Sequence, residues 1–372
     1  MKIIQVLPEL NSGGVERGTL ELSRFLVAQG HESLVISNGG RLVSTLEAEG
    51  GTHITLPVHR KSLRSLPQIL KLRSVFQDLQ PDIVHVRSRL PAWLTWLAWQ
   101  GLRPDRRPRL ISTVHGFYSV NRYSRIMTQG DEVICVSRSI RDYVLENYPG
   151  VPESRLRIVH RGVDPAELPY GYQPDAAWRQ KWEADYPQLA GRYVLTLPGR
   201  MTRLKGHLDF VKVLGNLNRV GIPASGLVVG DVHPKKREFE QEVRDAVHSV
   251  GLDGAVVFTG HRSDVREIMA VSDVVLSCST QPESFGRVTL EALSLGKPVA
   301  AYDHGGVTEQ LEELMPEGRV PVGDTDALTD LLRDWYTSRP SPRQTTDHSF
   351  TLDRFWKGTL SVYENAVQRR AA

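Results

Sequence analysis

The amino-acid sequence predicts an α/β protein of two doubly wound domains, and three observations carry that reading. At 372 residues and 41.7 kDa the chain is too long for one ordinary core, so two domains are the natural expectation. Short apolar β-branched runs alternate with longer 3.6-period segments along the whole length, the pattern of parallel sheets covered on both faces. The alternation also restarts mid-chain. RYVLTLPGRMTRLKG opens a second strand, glycine-containing loop and helix, as MKIIQVLPELNSGGVERG opened the first.

In the first half, strands are expected at Ile3–Leu7, Leu34–Ser37, Ile83–Val86, Leu110–Val114, Val133–Val136 and Arg157–His160, each a short β-branched run bounded by turn residues. In the second half they are expected at Val194–Leu197, Gly226–Val229, Val256–Phe258, Val274–Ser277 and Val299–Ala301. Apolar spacing predicts helices at Val15–Gln29, Leu204–Asn218, Arg237–Val250, Val288–Leu295 and Ala327–Tyr336. Residues 165–190, rich in Pro, Tyr and Trp and without strand character, read as a linker between domains over 1–170 and 190–351. A last helical stretch, Leu352–Gln368, fits either domain.

Hydrophobic residues make up 40% and charged residues 24%, which argues against a disordered, collagenous or membrane-embedded chain. Cys135 and Cys278 lie in apolar runs without metal-ligand spacing. Two buried, reduced thiols are therefore expected, not a disulfide or a zinc site. The N-terminus lacks a long apolar export segment, and no stretch reaches the ~20 apolar residues that span a bilayer. A cytoplasmic protein is the expectation.

The net charge of +3 is unevenly spread. Residues 1–175 hold 22 basic and 17 acidic side chains, a net +5, and residues 60–109 alone hold 11 basic against three acidic. There RKSLRSLPQILKLR interleaves Lys61, Arg64 and Lys71 with Leu63, Leu66, Ile69, Leu70 and Leu72. The pattern suits a helix lying on anionic headgroups at the inner face of the plasma membrane. It suits equally a core-packing helix with a solvated basic face. No reading motif accompanies the patch, so nucleic acid is not an expected partner.

Ligands of doubly wound sheets bind beyond the carboxyl ends of strands, where a helix begins. Gly13 and Gly14 stand at the first such place, where paired glycines let backbone amides approach an anion; a plain loop-to-helix turn is the alternative. The spacing is not GxGxxG, which disfavours a nicotinamide enzyme. At the second place Arg200 and Lys205 flank a turn. A fork-shaped guanidinium and a mobile ammonium there suit a diphosphate, although a solvated loop also uses such residues. At the third place Glu283 lies in a loop and Glu291 two turns into the next helix, where both carboxylates could accept sugar hydroxyls. Alternatively, Glu283 answers the helix dipole and Glu291 is a surface residue. His115 follows the strand LISTV and should project from its tip. Asp324-Thr325-Asp326 directly precedes a helix, so Asp326 is expected as its N-cap and Asp324 as a turn residue instead of a metal pair.

Together these pieces resemble the retaining GT-B glycosyltransferases of the large family 4. The likeness rests on Glu283-Ser-Phe-Gly-x-x-x-x-Glu291 followed by GKPVAAYDHGGVTE, on GRMTRLKG, on Val114-His115-Gly116 and on the N-terminal double glycine. It implies two Rossmann-like domains facing across a cleft, with the terminal helix (352–372) crossing back to the N-terminal one. By that resemblance Arg200 and Lys205 neutralise the leaving diphosphate, Glu291 binds ribose, and Glu283 with Ser284, Phe285 and Gly286 holds the donor sugar. Arg262 lies in the segment that meets the base, Gly13 and Gly14 complete the diphosphate site, and His115 sits by the donor sugar. Ser284 stands where many relatives have glycine, and Arg287 follows the loop glycine, which leaves the sugar open. The implied reaction moves a hexose-type sugar, UDP-activated by preference, to an envelope glycan such as a lipopolysaccharide core or a lipid-linked oligosaccharide. No metal or other cofactor is implied. A nucleotide-sugar epimerase and a transferase with a small soluble acceptor are the alternatives.

Overall fold

A computed structural model describes residues 1–11, 13–62, 65–232, 237–345 and 347–371. The chain divides into two compact units, Met1–His160 with Asp353–Ala372, and Arg161–Leu352.

The first unit holds strands β1 (Lys2–Val6), β2 (Glu32–Ser37), β3 (Thr52–Thr55), β4 (Ile83–Val86), β5 (Arg109–Val114), β6 (Glu132–Cys135) and β7 (Leu156–Ile158). Its helices are α1 (Gly14–Ala28), α2 (Val43–Ala48), α3 (Pro67–Leu79), α4 (Arg89–Gln100) and α5 (Arg138–Asn147). All pairings are parallel, in the order β3-β2-β1-β4-β5-β6-β7. Ile3, Ile4, Val35, Ile83 and Val84 are fully buried, because helices cover both faces of such a sheet.

The second unit contains α6 (Ala176–Asp185), β8 (Tyr193–Pro198), α7 (His207–Arg219), β9 (Ala224–Val229), α8 (Arg237–Ser249), β10 (Val256–Gly260) and α9 (Val265–Val271). It continues through β11 (Val274–Ser277), α10 (Arg287–Ser294), β12 (Val299–Tyr302), α11 (Gly306–Leu314), β13 (Arg319–Val320) and α12 (Thr325–Ser338). Its six strands run in the order β10-β9-β8-β11-β12-β13, again all parallel. In both sheets the chain winds outward from the first strand, then returns to its other side. The switch points therefore lie between β1 and β4 and between β8 and β11.

The last helix, α13 (Leu352–Ala371), joins the first unit from Asp353 onward. The Tyr363 hydroxyl reaches buried His85 Nδ1 at 2.6 Å, His85 Nε2 lies 2.6 Å from Thr113 Oγ1, and Trp356 stacks on Phe25 at 5.4 Å.

Several expectations are corrected. β3 and β13 have no counterpart among the expected strands: THIT is an edge strand with no fully buried residue, and β13 has only two residues. Residues 165–190 belong to the second unit and carry α6, capped by Asp175 and anchored by buried Trp182. The helix expected from Leu204 begins at His207, because left-handed Gly206 (φ 69°) separates it from a short turn over Arg203–Lys205. Asp324, not Asp326, caps α12, accepting from the Ala327 N–H at 2.9 Å. The basic amphipathic stretch becomes helical only at Pro67; Leu63 and Arg64 lie outside the described residues. Its Leu72 is buried and Ile69 half-buried, whereas Leu66 and Leu70 are 52% and 69% exposed. Both cysteines are buried free thiols.

Candidate active site

The second unit brings its two central loops together at the carboxyl ends of β8 and β11. The first loop, Gly199–Gly206, leaves β8; a side chain at Gly206 would collide with the Cys278 carbonyl oxygen. This close approach sets Lys205 beside the second loop, which follows β11. Lys205 Nζ meets Glu283 Oε1 at 2.7 Å. The Ser279 hydroxyl donates to the same oxygen at 2.5 Å, and His304 Nε2 lies 2.6 Å from the Ser279 carbonyl.

Burial opposes the Glu283 charge, but the Lys205 ammonium, the Ser279 hydroxyl and His304 outweigh it and hold the carboxyl below its usual range. Side-chain exposures of 29% for Lys205 and 23% for Glu283 leave both groups reachable by a ligand. Arg200 stands exposed on the same loop and has no ion-pair partner among the described residues.

Backbone packing fixes the Glu283 loop from behind. The Gly306 N–H donates to the Glu283 carbonyl at 2.7 Å, and a Cβ at Gly305 or Gly306 would strike the backbone of residues 283–285. The Gln310 amide donates to the Phe285 carbonyl at 2.5 Å. The Phe285 ring is buried against Phe350, so only its backbone faces a ligand. Gly286 (φ 82°) precedes α10 and supplies no side-chain cap. The first amides of that helix are thus suited to an anion or polar sugar group.

Glu291 is held by Arg287, whose Nε donates to Oε1 at 2.6 Å one turn away. Arg262 pairs with Asp264 at 2.6 Å and lies over Trp182 at 5.8 Å. In the first unit, Gly13 (φ 147°) precedes α1, with Glu16 folded toward it. Half-buried His115 directly follows β5 and its N–H donates to the Tyr118 hydroxyl at 3.2 Å.

The structure thus pairs Lys205 with Glu283 and Arg287 with Glu291, but gives Arg262 to Asp264. Ser279, His304 and Gln310 were missed by sequence reasoning. The double glycine of DHGGVTEQ was the available signal, since its second glycine donates to Glu283 and the helix it opens carries Gln310.

Two parallel-sheet Rossmann-like domains with a C-terminal helix are the architecture of the GT-B glycosyltransferases. Comparison with known proteins agrees. The N-terminal model of Glycosyltransferase Family 4 matches residues 12–167, and that of Glycosyl transferases group 1 matches residues 179–349. The chain belongs to this group 1 glycosyltransferase family. It is 28% identical over 366 residues to the 2-deoxystreptamine N-acetyl-D-glucosaminyltransferase of Streptomyces fradiae, covering 90% of this chain and 85% of the relative. It is 27% identical to the N-acetyl-alpha-D-glucosaminyl L-malate synthase of Bacillus anthracis, covering 89% and 87%. A glycosyltransferase structure from Rickettsia africae superposes with a TM-score of 0.81 at 28% identity, covering 98% of each chain. The fold is also that of Anabaena HepE, solved with UDP and glucose, at a TM-score of 0.72 and 19% identity over 99% and 95%.

Proposed function

We propose that this chain transfers a hexose-type sugar, with retention, from a UDP-sugar to a hydroxyl of an envelope glycan such as a lipopolysaccharide core or a lipid-linked oligosaccharide. The observation that carries the donor half is the Lys205–Glu283 pair at the β8/β11 switch point, with Arg200, which has no ion-pair partner among the described residues, on the same loop. Arg200 and Lys205 take up the charge of the leaving diphosphate, a preorganised stabilisation of the kind that dominates many active sites. Glu291 receives the ribose hydroxyls. Glu283, Ser284 and the backbone at Phe285 and Gly286 hold the sugar, and Arg262 borders the base. With two cations on the diphosphate, the reaction needs no metal. The UDP and glucose bound in the HepE structure support the choice of UDP.

The acceptor half draws support from the first unit's basic excess and from exposed Leu66, Leu70 and Leu97, apolar groups suited to an anionic membrane surface at the cytoplasmic face. No helix among the described residues is long and apolar enough to cross a membrane. A small soluble acceptor is the second reading, favoured by relatives whose names specify 2-deoxystreptamine and L-malate.

Thermal shift against UDP-, GDP-, ADP- and CMP-sugars, with and without EDTA, tests the donor. A ligand that binds only the native state raises Tm with its concentration over Kd. A shift from UDP-sugars that survives EDTA is expected; no shift from any of them would overturn the assignment. Anionic liposomes test the acceptor surface: Lys61→Glu with Lys71→Glu should weaken binding, and unchanged binding would favour the soluble acceptor.

A further inference from the structure

The second sheet has a second concavity at its opposite end. Val194 lies near the start of β8, Val271 just before β11, and Lys297 just before β12. These residues line a cavity of about 340 Å³, within the size range of small-molecule sites. It is roofed by α6 and the turn after it, and it takes no part in the donor chemistry at the carboxyl ends.

Its walls combine two kinds of chemistry. One side is aromatic: Trp182 and Tyr186 line the cavity with their ring centroids 4.4 Å apart, and Trp178 stacks behind Trp182 at 5.1 Å. Such a wall offers apolar contact to the C–H surface of a ring. The other side is cationic. Arg179 donates to Gln173 Oε1, but its buried Nε has no hydrogen-bond partner among the described residues. Lys297 makes no side-chain hydrogen bond or ion pair among them either.

No neighbouring acid forms an ion pair with either cation among the described residues. Asp273 is committed to the Val194 N–H at 2.7 Å and to Arg339, and exposed Glu183 at the rim forms no ion pair with either cation among the described residues. Burial pushes the Lys297 ammonium below its usual range; Asp273 resists that shift and Arg179 adds to it. Two half-buried cations with no ion pair among the described residues, beside an aromatic wall, make an incomplete arrangement.

We propose that this cavity is a binding site for a small ring compound of sugar size bearing one oxyanion, a phosphate ester or a carboxylate. The oxyanion is held between Arg179 and Lys297 and the ring lies against Trp182 and Tyr186. The site is separate from the donor site and does not depend on which nucleotide sugar that site takes.

Titration calorimetry of the full chain with glucose 6-phosphate, glucuronate, glucose and inorganic phosphate tests this without any nucleotide present. At least one of the two ring oxyanions should bind saturably, and which one binds identifies the anion. Lys297→Met and Arg179→Met should each weaken it by about tenfold or more, while Arg200→Ala leaves it unchanged. The two side chains sit on different elements, so misfolding of one variant leaves the other to decide. The proposal is overturned if neither ring oxyanion binds below about 10 mM. It is also overturned if glucose or inorganic phosphate binds as tightly, if the folded variants bind like the wild type, or if Arg200→Ala abolishes binding.

Discussion

Replacing Lys205 with methionine should separate stability from catalysis, because the ammonium has different partners in the free and reacting protein. In the free protein it is 2.7 Å from Glu283, on a pair less than one-third exposed. Its removal leaves Glu283 with Ser279 and His304 but without its counter-charge. Breaking a charged hydrogen bond of this kind costs about 1–3 kcal/mol, short of the larger losses seen for fully buried pairs. In the proposed transfer the same ammonium faces the departing diphosphate, and losing one preorganised donor there should lower kcat by about 10²–10³. Adding Glu283→Gln to Lys205→Met removes the stranded charge, so most of the stability returns while turnover does not. Urea unfolding followed by circular dichroism, alongside nucleotide release, measures both quantities on the same samples. Turnover of the single variant within about tenfold of wild type, or recovery of turnover in the double variant, would refute the reasoning.

Three further outcomes follow from the same packing. Gly206→Ala places a methyl against the Cys278 carbonyl at φ 69° and should destabilise by about 2 kcal/mol or more in urea unfolding. Tyr363→Phe leaves buried His85 without its 2.6 Å partner on α13 and should cost about 1–3 kcal/mol by the same measurement. Burial holds His207 neutral down to about pH 4, helped by the nearby Lys205 charge and opposed by the Thr202 backbone. Its folded pKa lies below the usual 6.5 of a free imidazole, so its contribution is complete above pH 6.5 and falls away as pH drops toward 4. Over that window the unfolded chain binds the proton and the folded one does not, a loss of about 3 kcal/mol. Unfolding titrations of wild type and His207→Gln should show the slope only in the wild type.

Much of the fold was legible because a parallel sheet buried on both faces requires continuous apolar runs, as in IIQV, LVIS and VVLS. The missing strands lack that signal: edge strand THIT is not fully buried, and β13 is too short for any period. The start of α7 was misplaced because the amphipathic pattern continues through Gly206, whose left-handed turn is dictated by Cys278 on another element. The loop residues of the candidate site were visible from their place after strands. Their pairing was not. That Lys205 meets Glu283, that Arg287 holds Glu291, and that Arg262 turns to Asp264 are consequences of loop packing that no local spacing encodes. Ser279, His304 and Gln310 escaped for the same reason, as they act on Glu283 and its loop from three different places in the chain.

The central claim is that a nucleotide sugar binds at the β8/β11 switch point through Arg200, Lys205 and Glu291. Calorimetric titration of UDP-glucose into wild-type, Arg200→Ala and Glu291→Gln protein in EDTA addresses it most directly. Saturable one-to-one binding by the wild type, weakened by about tenfold or more in each variant, is the predicted result. Wild-type binding that neither substitution alters would contradict the account.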